Sequence, residues 1–388
     1  MSTASSDTIH IGLIGLGTVG AGTVNVLDRN QAEITRRAGC AINVRAAAVR
    51  DIDRIRPCSM DNLILTDDPY AVTDDPEVSV VVELIGGCDL AKEVVLRSLT
   101  QGKHVVTANK ALIALHGNEI FQKAHEKGLT VAFEAAVAGG ISIIKVIREG
   151  LSGNRINQLV GIINGTCNHI LTSMLESNKS FESALKDAQC RGFAEADPTF
   201  DIEGIDAGHK LAILAAIGFG IPLQFDKIHV EGIADVTLED VKYAAELGYR
   251  VKHLGIAQRT TAGIELRAHT CLTPATSLLS SVSGEMNAIL IEGDAVGPTL
   301  HYGAGAGAER TASSVVADIV DVVRTLTTDP GNRVPHLAFQ PDTLEPVTLV
   351  PIREVLSANY LRLQVIDRPG VLADITRILG EHAISIEA

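Results

Sequence analysis

The sequence predicts an α/β fold in which an N-terminal parallel sheet, covered by helices on both faces, is followed by an α+β domain. Three observations support this prediction. Short and almost continuously apolar runs alternate with helical patterns over the first third of the 388 residues, as they do in buried parallel sheets. A glycine-rich motif joins the first strand-like run to the first helical one. Beyond residue 145 the helical patterns lengthen and mix with β-prone runs, which indicates a second domain.

Apolar periodicity places the elements of these two domains. In the first, we expect strands at residues 9–14, 44–49, 78–84 and 104–107 and helices at residues 19–29 and 90–101. In the second, the expected helices span residues 168–176, 181–191, 205–216 and 238–246, and the β-prone runs span residues 226–230 and 264–269. A chain of this length has room for two or three domains.

Domain boundaries follow from the changes of pattern. We assign residues 1–145 to the first domain, which a helical stretch within residues 303–330 completes, and residues 146–302 to the second. Several prolines mark residues 331–357 as a linker. The tail, residues 358–388, then begins a new pattern. In it we expect a strand at 360–365, a turn, a helix at 371–381 and the start of another strand at 384–386.

Composition and charge exclude several classes of function. The formal net charge is −14 and the chain has no cluster of Lys and Arg, whereas nucleic acids and anionic membranes attract such clusters. The longest apolar run, residues 211–223, is shorter than a bilayer-spanning helix and contains glycine and proline. Six scattered cysteines without a CxxC pair and a polar N-terminus favour a cytoplasmic protein with reduced thiols.

The motif GLGTVG, from Gly15 to Gly20, fits the GxGxxG pattern of dinucleotide-binding domains. The pattern alone is weak, but here a predicted strand ends at Gly15 and a predicted helix begins inside the motif. In a Rossmann-type domain, Gly15 makes the tight turn, Gly17 lets the backbone approach a pyrophosphate, and Gly20 lets the helix pack closely. The N–H groups at the helix start, around Thr18 and Val19, favour phosphate. A glycine turn in a ligand-free fold is the alternative.

The residues after the second strand bear on which cofactor binds. Arg50 and Asp51 follow the strand end, where an acidic side chain binds the ribose hydroxyls of NAD and an arginine accommodates the 2′-phosphate of NADP. Because Arg50 comes first, we expect NADP, while NAD binding through Asp51 stays open.

Two lysines are candidates for chemistry. Lys110 lies just beyond the fourth predicted strand, at the carboxyl edge where ligands bind in open α/β sheets. Asp206 and Lys210 are four residues apart on a predicted helix and share one face of it. Carbonyl reduction needs a proton donor, because the arriving hydride leaves alkoxide charge on oxygen. A lysine steered by carboxylates suits this task, whereas a solvated lysine or a plain surface ion pair is the alternative.

Six stretches together resemble homoserine dehydrogenases. In chain order they are GLGTVG at residues 15–20, TANKALIA at 107–114, FEAAVAGGI at 133–141, GIINGTCNHIL at 161–171, GFAEADPTFDIEGIDAGHKLAIL at 192–214 and GAGAERTASSVVAD at 305–318. The fifth is highly specific, whereas the first is common. The resemblance implies NAD(P)-dependent interconversion of L-aspartate 4-semialdehyde and L-homoserine in threonine, methionine and isoleucine biosynthesis. It also implies that residues 146–302 form the catalytic and dimerisation domain, in a homodimer or homotetramer.

The resemblance assigns roles to single residues. Lys210 matches the proton donor and acceptor, Lys110 a second catalytic lysine between cofactor and substrate, and Asp206 the carboxylate beside the reacting hydroxyl. Glu195 matches the residue that holds the substrate amino group. The implied substrate-binding set is Glu195, Asp201, Thr166 and Gly165, the last two in the turn that Asn164 begins.

Family members also carry a structural sodium ion. Its ligands map to the side chain of Glu134 and the backbone carbonyls of Val137, Gly139 and Ile141, a set of oxygen donors that suits a hard cation.

A second glycine-rich turn, residues 303–307, is implied to return the chain to the nicotinamide through Gly303 and Gly305. Two positions depart from the family pattern: Ser142 and Arg310 stand where proline is usual. Each substitution changes the geometry of a turn without removing a functional group.

The tail resembles the first half of an ACT regulatory domain, which implies threonine as a regulator of a longer chain.

Three other functions remain to be weighed. A dehydrogenase that forms an acyl phosphate needs a nucleophilic cysteine, and none of the six cysteines lies in a matching motif. A sugar or polyol oxidoreductase does not require the acidic stretch at residues 195–210. A non-enzymatic amino-acid sensor would bind threonine without oxidising NADPH.

Overall fold

The structure, a computed structural model, describes residues 8–326 and 334–386 of the chain. Parts of three sequence predictions lie outside these ranges: the polar N-terminus at residues 1–7, the junction of the first domain and the linker at residues 327–333, and the end of the tail at residues 387–388. The chain divides into two compact units, Met1–Val355 and Leu356–Ala388.

A parallel sheet, to which the described residues contribute six strands in the order β3-β2-β1-β4-β5-β6, forms the centre of the N-terminal domain. Its strands are β1 (Ile9–Ile14), β2 (Ile42–Ala48), β3 (Ile64–Thr66), β4 (Val78–Glu83), β5 (His104–Thr107) and β6 (Val131–Ala132). The helices between them are α1 (Thr18–Arg29), α2 (Gln31–Ala38), α3 (Pro69–Asp74), α4 (Asp89–Thr100) and α5 (Lys110–Glu126). The strand order reverses between β1 and β4, which opens a crevice at their carboxyl ends. The predicted Rossmann-type sheet is confirmed.

The second domain is built on a mixed sheet, whose described strands follow the order β12-β11-β7-β9-β10-β8. These strands are β7 (Ile156–Ile162), β8 (His229–Val230), β9 (Tyr249–Arg259), β10 (Ile264–Pro274), β11 (Met286–Gly293) and β12 (Gly297–Ala304). The helices of this region are α6 (Ile143–Lys145), α7 (Gly165–Glu176), α8 (Phe181–Cys190), α9 (Thr199–Ile202), α10 (Ile205–Phe219) and α11 (Leu238–Glu246). A longer helix, α12 (Ala308–Thr325), follows β12. The predicted α+β domain is confirmed.

Helix α12 packs back on the first domain. A Cβ atom at Gly22 of α1 would lie 2.8 Å from the carbonyl oxygen of Ala308, so the two helices approach closely where Gly22 has no side chain. Val315 and Ile319 of α12 belong to the same buried cluster as Leu13 of β1. Residues late in the chain therefore complete the core beneath the first sheet.

Helix α10 is buried on nearly every side, because its sequence after Lys210 is almost entirely apolar. It packs against α5 of the first domain, and the segment after α10 continues this contact, since a Cβ at Gly117 would overlap Leu223. The Asn118 side chain fixes this contact by donating to the Leu223 carbonyl (3.0 Å) and accepting from the Leu223 N–H (3.1 Å). Within the described ranges, every helix is too short or too polar to traverse a bilayer.

The described part of the predicted linker is packed against the first unit. The His336 ring accepts a hydrogen bond from the backbone N–H of Val131 (3.0 Å), which satisfies a donor of β6. Leu337 is buried in the core that α5 and α10 share, and residues 348–350 exchange two backbone hydrogen bonds with Ile264 at the start of β10. Residues 336–350 therefore act as a strap that joins elements of both domains.

The C-terminal unit contains one described helix, α13 (Val371–Glu381), as predicted. The strands predicted at residues 360–365 and 384–386 are wrong, since these residues have no regular structure. A strand needs hydrogen-bonded neighbours and a covered apolar face. The apolar side chains of these residues remain exposed, so alternation of residue types was insufficient to form a sheet.

The strap yields a prediction about stability. Leu337→Ala removes a side chain that is 5% exposed, so we expect the free energy of unfolding to fall by about 2–5 kcal/mol. Denaturant unfolding of the purified variant measures this loss. Val334→Ala is the matched control, because Val334 lies in the same segment and is 48% exposed. Equal stability of the two variants would mean that the segment is a loose linker.

Candidate active site

Three structural elements bring the predicted site residues together at the carboxyl edge of the first sheet. Asn109 caps α5, since its Oδ1 accepts from the N–H of Leu112 (3.1 Å), and this places Lys110 in the first helical turn directly after β5. Asn164 caps α7 in the same way, through the N–H of Cys167 (2.8 Å). Both caps use the residue type that a helix start favours. The third element is the start of α10, with Asp206 and Lys210 on its inward face.

Asp206 is the centre of this cluster. Its Oδ1 lies 2.6 Å from Lys110 Nζ and its Oδ2 lies 2.7 Å from Lys210 Nζ. Lys210 also donates to the carbonyl oxygen of Ile163 at the end of β7 (2.7 Å). One carboxylate thus holds two ammonium groups, one from each domain, at a fixed separation.

Charge and burial act together on these groups. Burial alone would raise the pKa of Asp206, but Lys210 and Lys110 hold it well below its usual value, so this carboxylate stays ionised. Burial disfavours the charged form of Lys110, yet Asp206 outweighs this effect and raises the pKa of Lys110. The ammonium of Lys110 also faces the ring of Phe200, 5.4 Å from the ring centre.

Two predicted substrate-binding residues join this cluster directly. Asp201 Oδ2 accepts from the Thr166 hydroxyl (3.1 Å), and its Oδ1 accepts from the Asn164 amide (2.7 Å). Glu195 is exposed. Its negative charge still favours the ammonium form of Lys110, although less than the charges of Asp206 and Asp201 do. The structure therefore brings five of the predicted side chains into one cluster: Lys110, Thr166, Asp201, Asp206 and Lys210.

Cys167 contacts this cluster through Asp201, and it does not resemble a nucleophile. It is fully buried, and its thiol donates to the carbonyl oxygen of Asp201 (3.2 Å). Burial raises the pKa of this thiol well above its usual value, and Asp201 adds to the effect. A thiolate is needed to attack a carbonyl, so the acyl-phosphate mechanism loses support.

The glycine motif has the geometry that the sequence predicts. Gly15 has a φ of +101° and makes the turn after β1. A Cβ at Gly20 would overlap the Gly15 carbonyl oxygen, so α1 approaches the turn closely. No atom lies within 4 Å of the Cβ position at Gly17, which leaves the start of α1, at Thr18 and Val19, open to a ligand.

Arg50 and Asp51 differ in their surroundings. Asp51 Oδ1 accepts from the backbone N–H groups of Asp53 (3.1 Å) and Arg54 (3.2 Å), so this carboxylate stabilises its own loop. Arg50 is exposed on the same loop, beyond the end of β2. Asp51 is exposed as well, so the two differ only in that one oxygen of Asp51 already accepts hydrogen bonds within the loop.

Sequence models of known families match almost the whole chain. A model described as homoserine dehydrogenase matches residues 143–320, its NAD-binding domain matches residues 15–134, and an ACT domain matches residues 359–388. A homoserine dehydrogenase of Pseudomonas aeruginosa is 61% identical over 98% of this chain and 87% of that protein. One of Neisseria gonorrhoeae is 50% identical over 98% of this chain and 87% of that protein.

The chain belongs to the homoserine dehydrogenase family.

Solved structures of homoserine dehydrogenases have the same fold. The crystal structure of the Thiobacillus denitrificans enzyme superposes with a TM-score of 0.91 at 58% identity, covering 98% of this chain and 88% of that one. A hyperthermophilic archaeal homoserine dehydrogenase in complex with NADPH has a TM-score of 0.69 at 25% identity, covering 83% of this chain and all of that one (100%). As a homoserine dehydrogenase, the chain is an NAD(P)-dependent oxidoreductase that acts on a small molecule.

Sequence reasoning missed two buried polar residues near Lys110, at the carboxyl edge of the first sheet. Glu83 ends β4, where its carboxylate accepts from the Thr107 hydroxyl (2.6 Å) and the N–H of Ile85 (2.9 Å). Burial raises the pKa of Glu83. Asn109 donates to the carbonyl oxygen of Gly87 (2.6 Å). The sequence did offer one signal for Glu83: a glutamate at the end of an apolar strand, at the point where the strand order reverses and ligands bind.

The predicted sodium ligands lie in a loop between the domains of the enzyme. Glu134 is 1% exposed, and its two carboxylate oxygens accept from the N–H groups of Ile144 (2.8 Å) and Lys145 (2.9 Å). Burial, with a contribution from Asp318, raises the pKa of Glu134 to about 7. The Gly139 carbonyl accepts from the Ser314 hydroxyl (2.7 Å). No cluster of three or more acidic, histidine or cysteine side chains suited to a metal occurs in the described parts of the chain.

The second glycine turn begins later than predicted. Gly303 lies inside β12, paired with Asn287, and is therefore part of a strand. Gly305 follows the strand end, and the Asn287 side chain occupies the space that a Cβ at Gly305 would need. The Asn287 side chain donates to the carbonyl oxygen of Ile162 (2.7 Å). Strand pairing therefore includes Gly303, the first glycine of this second turn.

The two departures from the family pattern are both accommodated locally. Ser142 directly precedes α6, and its carbonyl oxygen accepts from the N–H of Val146 (3.2 Å). Arg310 lies in the first turn of α12, where proline and arginine are both compatible with a helix. Neither position removes a group from the cluster around Asp206.

The glycine motif yields a paired prediction. Gly20→Ala places a Cβ against the Gly15 backbone, so we expect a loss of about 1–3 kcal/mol in the free energy of unfolding. Gly17→Ala meets no atom within 4 Å and should leave stability unchanged while raising the Kd for NADPH. Fluorescence titration with NADPH and thermal unfolding separate the two effects. Wild-type NADPH affinity in Gly17→Ala would contradict the assignment of this loop.

Proposed function

We propose that the chain reduces L-aspartate 4-semialdehyde to L-homoserine with NADPH, and catalyses the reverse reaction, with Lys210 as the proton donor and acceptor. The observation that carries this proposal is the shared carboxylate of Asp206, which holds the ammonium groups of Lys110 and Lys210 at 2.6 and 2.7 Å. Homoserine is then available for the biosynthesis of threonine, methionine and isoleucine.

Lys210 has the right number of donors for proton transfer. An ammonium group has three N–H bonds, of which two are directed to Asp206 and to the Ile163 carbonyl. The third remains for the oxygen of the substrate aldehyde. A bound NADPH supplies the hydride. As negative charge develops on the aldehyde oxygen, the proton of Lys210 moves to it and forms the hydroxyl of homoserine.

Lys110 contributes charge. Its pKa is raised, because Asp206 outweighs the effect of burial, so it stays an ammonium over the working pH range. Next to a developing alkoxide, a fixed positive charge stabilises the transition state more than the neutral aldehyde. Its position at the start of α5, beside the carboxyl end of β5, suits contact with both the nicotinamide and the substrate.

The remaining carboxylates suit the amino group of the substrate. Glu195 is exposed at the rim and Asp201 is half-buried, so both can meet a ligand that enters from solvent. A substrate ammonium held by these carboxylates places the aldehyde toward the lysines. Thr166 and Gly165 form the wall beside them, where a Cβ at Gly165 would lie 2.6 Å from the Glu285 carbonyl oxygen.

NADPH is the favoured cofactor because the exposed Arg50 suits a 2′-phosphate, while one oxygen of the exposed Asp51 is already used within its loop. The glycine motif is proposed to bind the pyrophosphate through Gly15, Gly17 and Gly20. Gly303 and Gly305 are proposed to approach the nicotinamide from the second domain. The NADPH complex of the archaeal relative supports this cofactor, and NAD use stays an alternative outcome of the assay below.

A structural sodium ion fits the residues around Glu134. Glu134 is a buried carboxylate whose pKa is raised by burial, so a nearby cation would stabilise its charged form. The carbonyls of Val137, Gly139 and Ile141 would supply the other oxygen ligands, and each oxygen has a second lone pair for a cation. The ion would hold the loop that links the domains.

The apolar face of the second sheet supports a homodimer. Its side chains include Val160, Leu290 and Leu300, which pack at the edge of a buried cluster and remain partly accessible. Association of two copies through this sheet would cover them, and a homotetramer is the larger alternative.

The free cysteines suit a cytoplasmic enzyme. The ACT match at residues 359–388 supports threonine as the regulatory ligand.

The assay that tests this function follows NADPH and NADH oxidation with L-aspartate 4-semialdehyde. We expect turnover in the wild type, with the higher kcat/KM for NADPH. In Lys210→Ala we expect kcat to fall by about 10²–10⁴-fold, because the proton donor is lost. Lys242→Ala, on an exposed position of α11, is the matched control and should retain wild-type turnover.

Two results would overturn the proposal. Absence of turnover in the wild type with either nicotinamide would reject the reaction, and binding of threonine under those conditions would favour the amino-acid sensor. Turnover in Lys210→Ala equal to that of Lys242→Ala would reject the proton-transfer role.

A further inference from the structure

The side chain of Asn164 makes contacts to three different structural elements. It is 3% exposed, and its Oδ1 accepts from the N–H of Cys167 (2.8 Å) at the start of α7. Its amide nitrogen donates to Asp201 Oδ1 (2.7 Å) on α9 and to Asp206 Oδ2 (2.8 Å) on α10. A carboxamide has two N–H donors, so every donor of this side chain is used on a carboxylate.

These contacts fix the orientation of the Asp206 carboxylate. Its Oδ2 is shared between Lys210 and Asn164, while its Oδ1 faces Lys110. Both lysine side chains are long and flexible, and Lys110 is partly exposed. The amide of Asn164 is short, buried and held by its helix cap, so it is the rigid partner that determines where the two ammonium groups are drawn.

Asn164 also separates two like charges. Asp201 and Asp206 both accept from the same nitrogen, and two carboxylates this close repel each other unless donors lie between them. The titratable groups that face Asp206 come from five elements: Lys110 (α5), Cys167 (α7), Asp201 (α9), His209 and Lys210 (α10), and His253 (β9).

Three of those groups stay neutral around neutral pH. Burial lowers the pKa of His209 to about 4 and lowers that of His253, and it raises the pKa of the Cys167 thiol well above its usual value. The charges that act on Asp206 are therefore the two lysines and Asp201, and the Asn164 amide is the neutral group set among them.

We infer that Asn164 is a positioning residue of the reaction, which holds Asp206 between Lys110 and Lys210 and couples it to Asp201. This inference rests on the proposed function, in which Lys210 transfers the proton and Asp201 meets the substrate. Asn164 does not touch the reacting atoms; it acts through Asp206. Without its amide, the charged form of Asp206 loses one hydrogen bond, and no neutral donor then separates it from Asp201, so the pKa of Asp206 rises.

A purely structural role must be separated from this one, since Asn164 also caps α7. Asn164→Ser keeps a side chain that caps helices well but lacks the amide donors. Asn164→Ala loses both the cap and the donors. Ser180→Ala removes only a cap, that of α8, where the Ser180 hydroxyl accepts from the N–H of Ser183 (3.3 Å). The three variants therefore distinguish capping from positioning.

The experiment measures kcat and the KM values for L-homoserine and NADP in L-homoserine oxidation, together with the Tm of each variant. For Asn164→Ser we expect kcat to fall about 10- to 100-fold, because misplaced catalytic groups lose most of their effect. The KM for NADP should stay within about twofold, since the glycine motif is untouched. The KM for L-homoserine should rise, because the same amide holds Asp201, which is proposed to meet the amino group of the substrate.

Ser180→Ala should retain the wild-type kcat and KM. If Asn164→Ser has the wild-type kcat and the wild-type KM for L-homoserine, Asn164 is only a helix cap and the inference is wrong. The same holds if Asn164→Ser and Ser180→Ala lose equal activity. Failure of the proposed function is a different outcome, because the wild type would then show no turnover at any pH.

Discussion

The candidate site depends on one buried carboxylate. Asp206 is 2% exposed, and transfer of an unpaired carboxylate into such a place is strongly unfavourable. Here both of its oxygens are paired, one with Lys110 at 2.6 Å and the other with Lys210 at 2.7 Å. Because Lys110 belongs to the nucleotide-binding domain and Lys210 to the second domain, this double ion pair fixes the two domains to each other where cofactor and substrate are proposed to meet.

The rest of the fold supports this junction. The close packing of α5 on α10, closed by the hydrogen bonds of Asn118 with Leu223, sets the two helices that carry the lysines at one separation. The strap of residues 336–350 contacts β6 and β10, and its Leu337 is buried in the cluster that contains residues of both helices. Catalysis by charge requires groups that do not reorganise during the reaction, and rigid packing behind the lysines provides that property.

Much of this was readable from the sequence, for physical reasons that differ between elements. Apolar strands and the glycine motif predict the first sheet because burial on both faces leaves a strong local pattern. The spacing of Asp206 and Lys210 predicts their ion pair, since residues four apart meet on a helix. The contacts of Lys110 and Asn164 with Asp206 join residues 42 or more positions apart, which no local pattern encodes. The strands expected in the tail failed because pairing partners, and not alternation, determine a sheet.

Replacement of Asp206 tests the central claim most directly. Asp206→Asn keeps the shape of the side chain but removes the charge that holds the two ammonium groups. We predict that kcat falls by about 100-fold or more, because the lysines lose their common anchor, while the Kd for NADPH stays near the wild-type value. A folded Asp206→Asn variant with the wild-type kcat would show that the shared carboxylate does not organise the site.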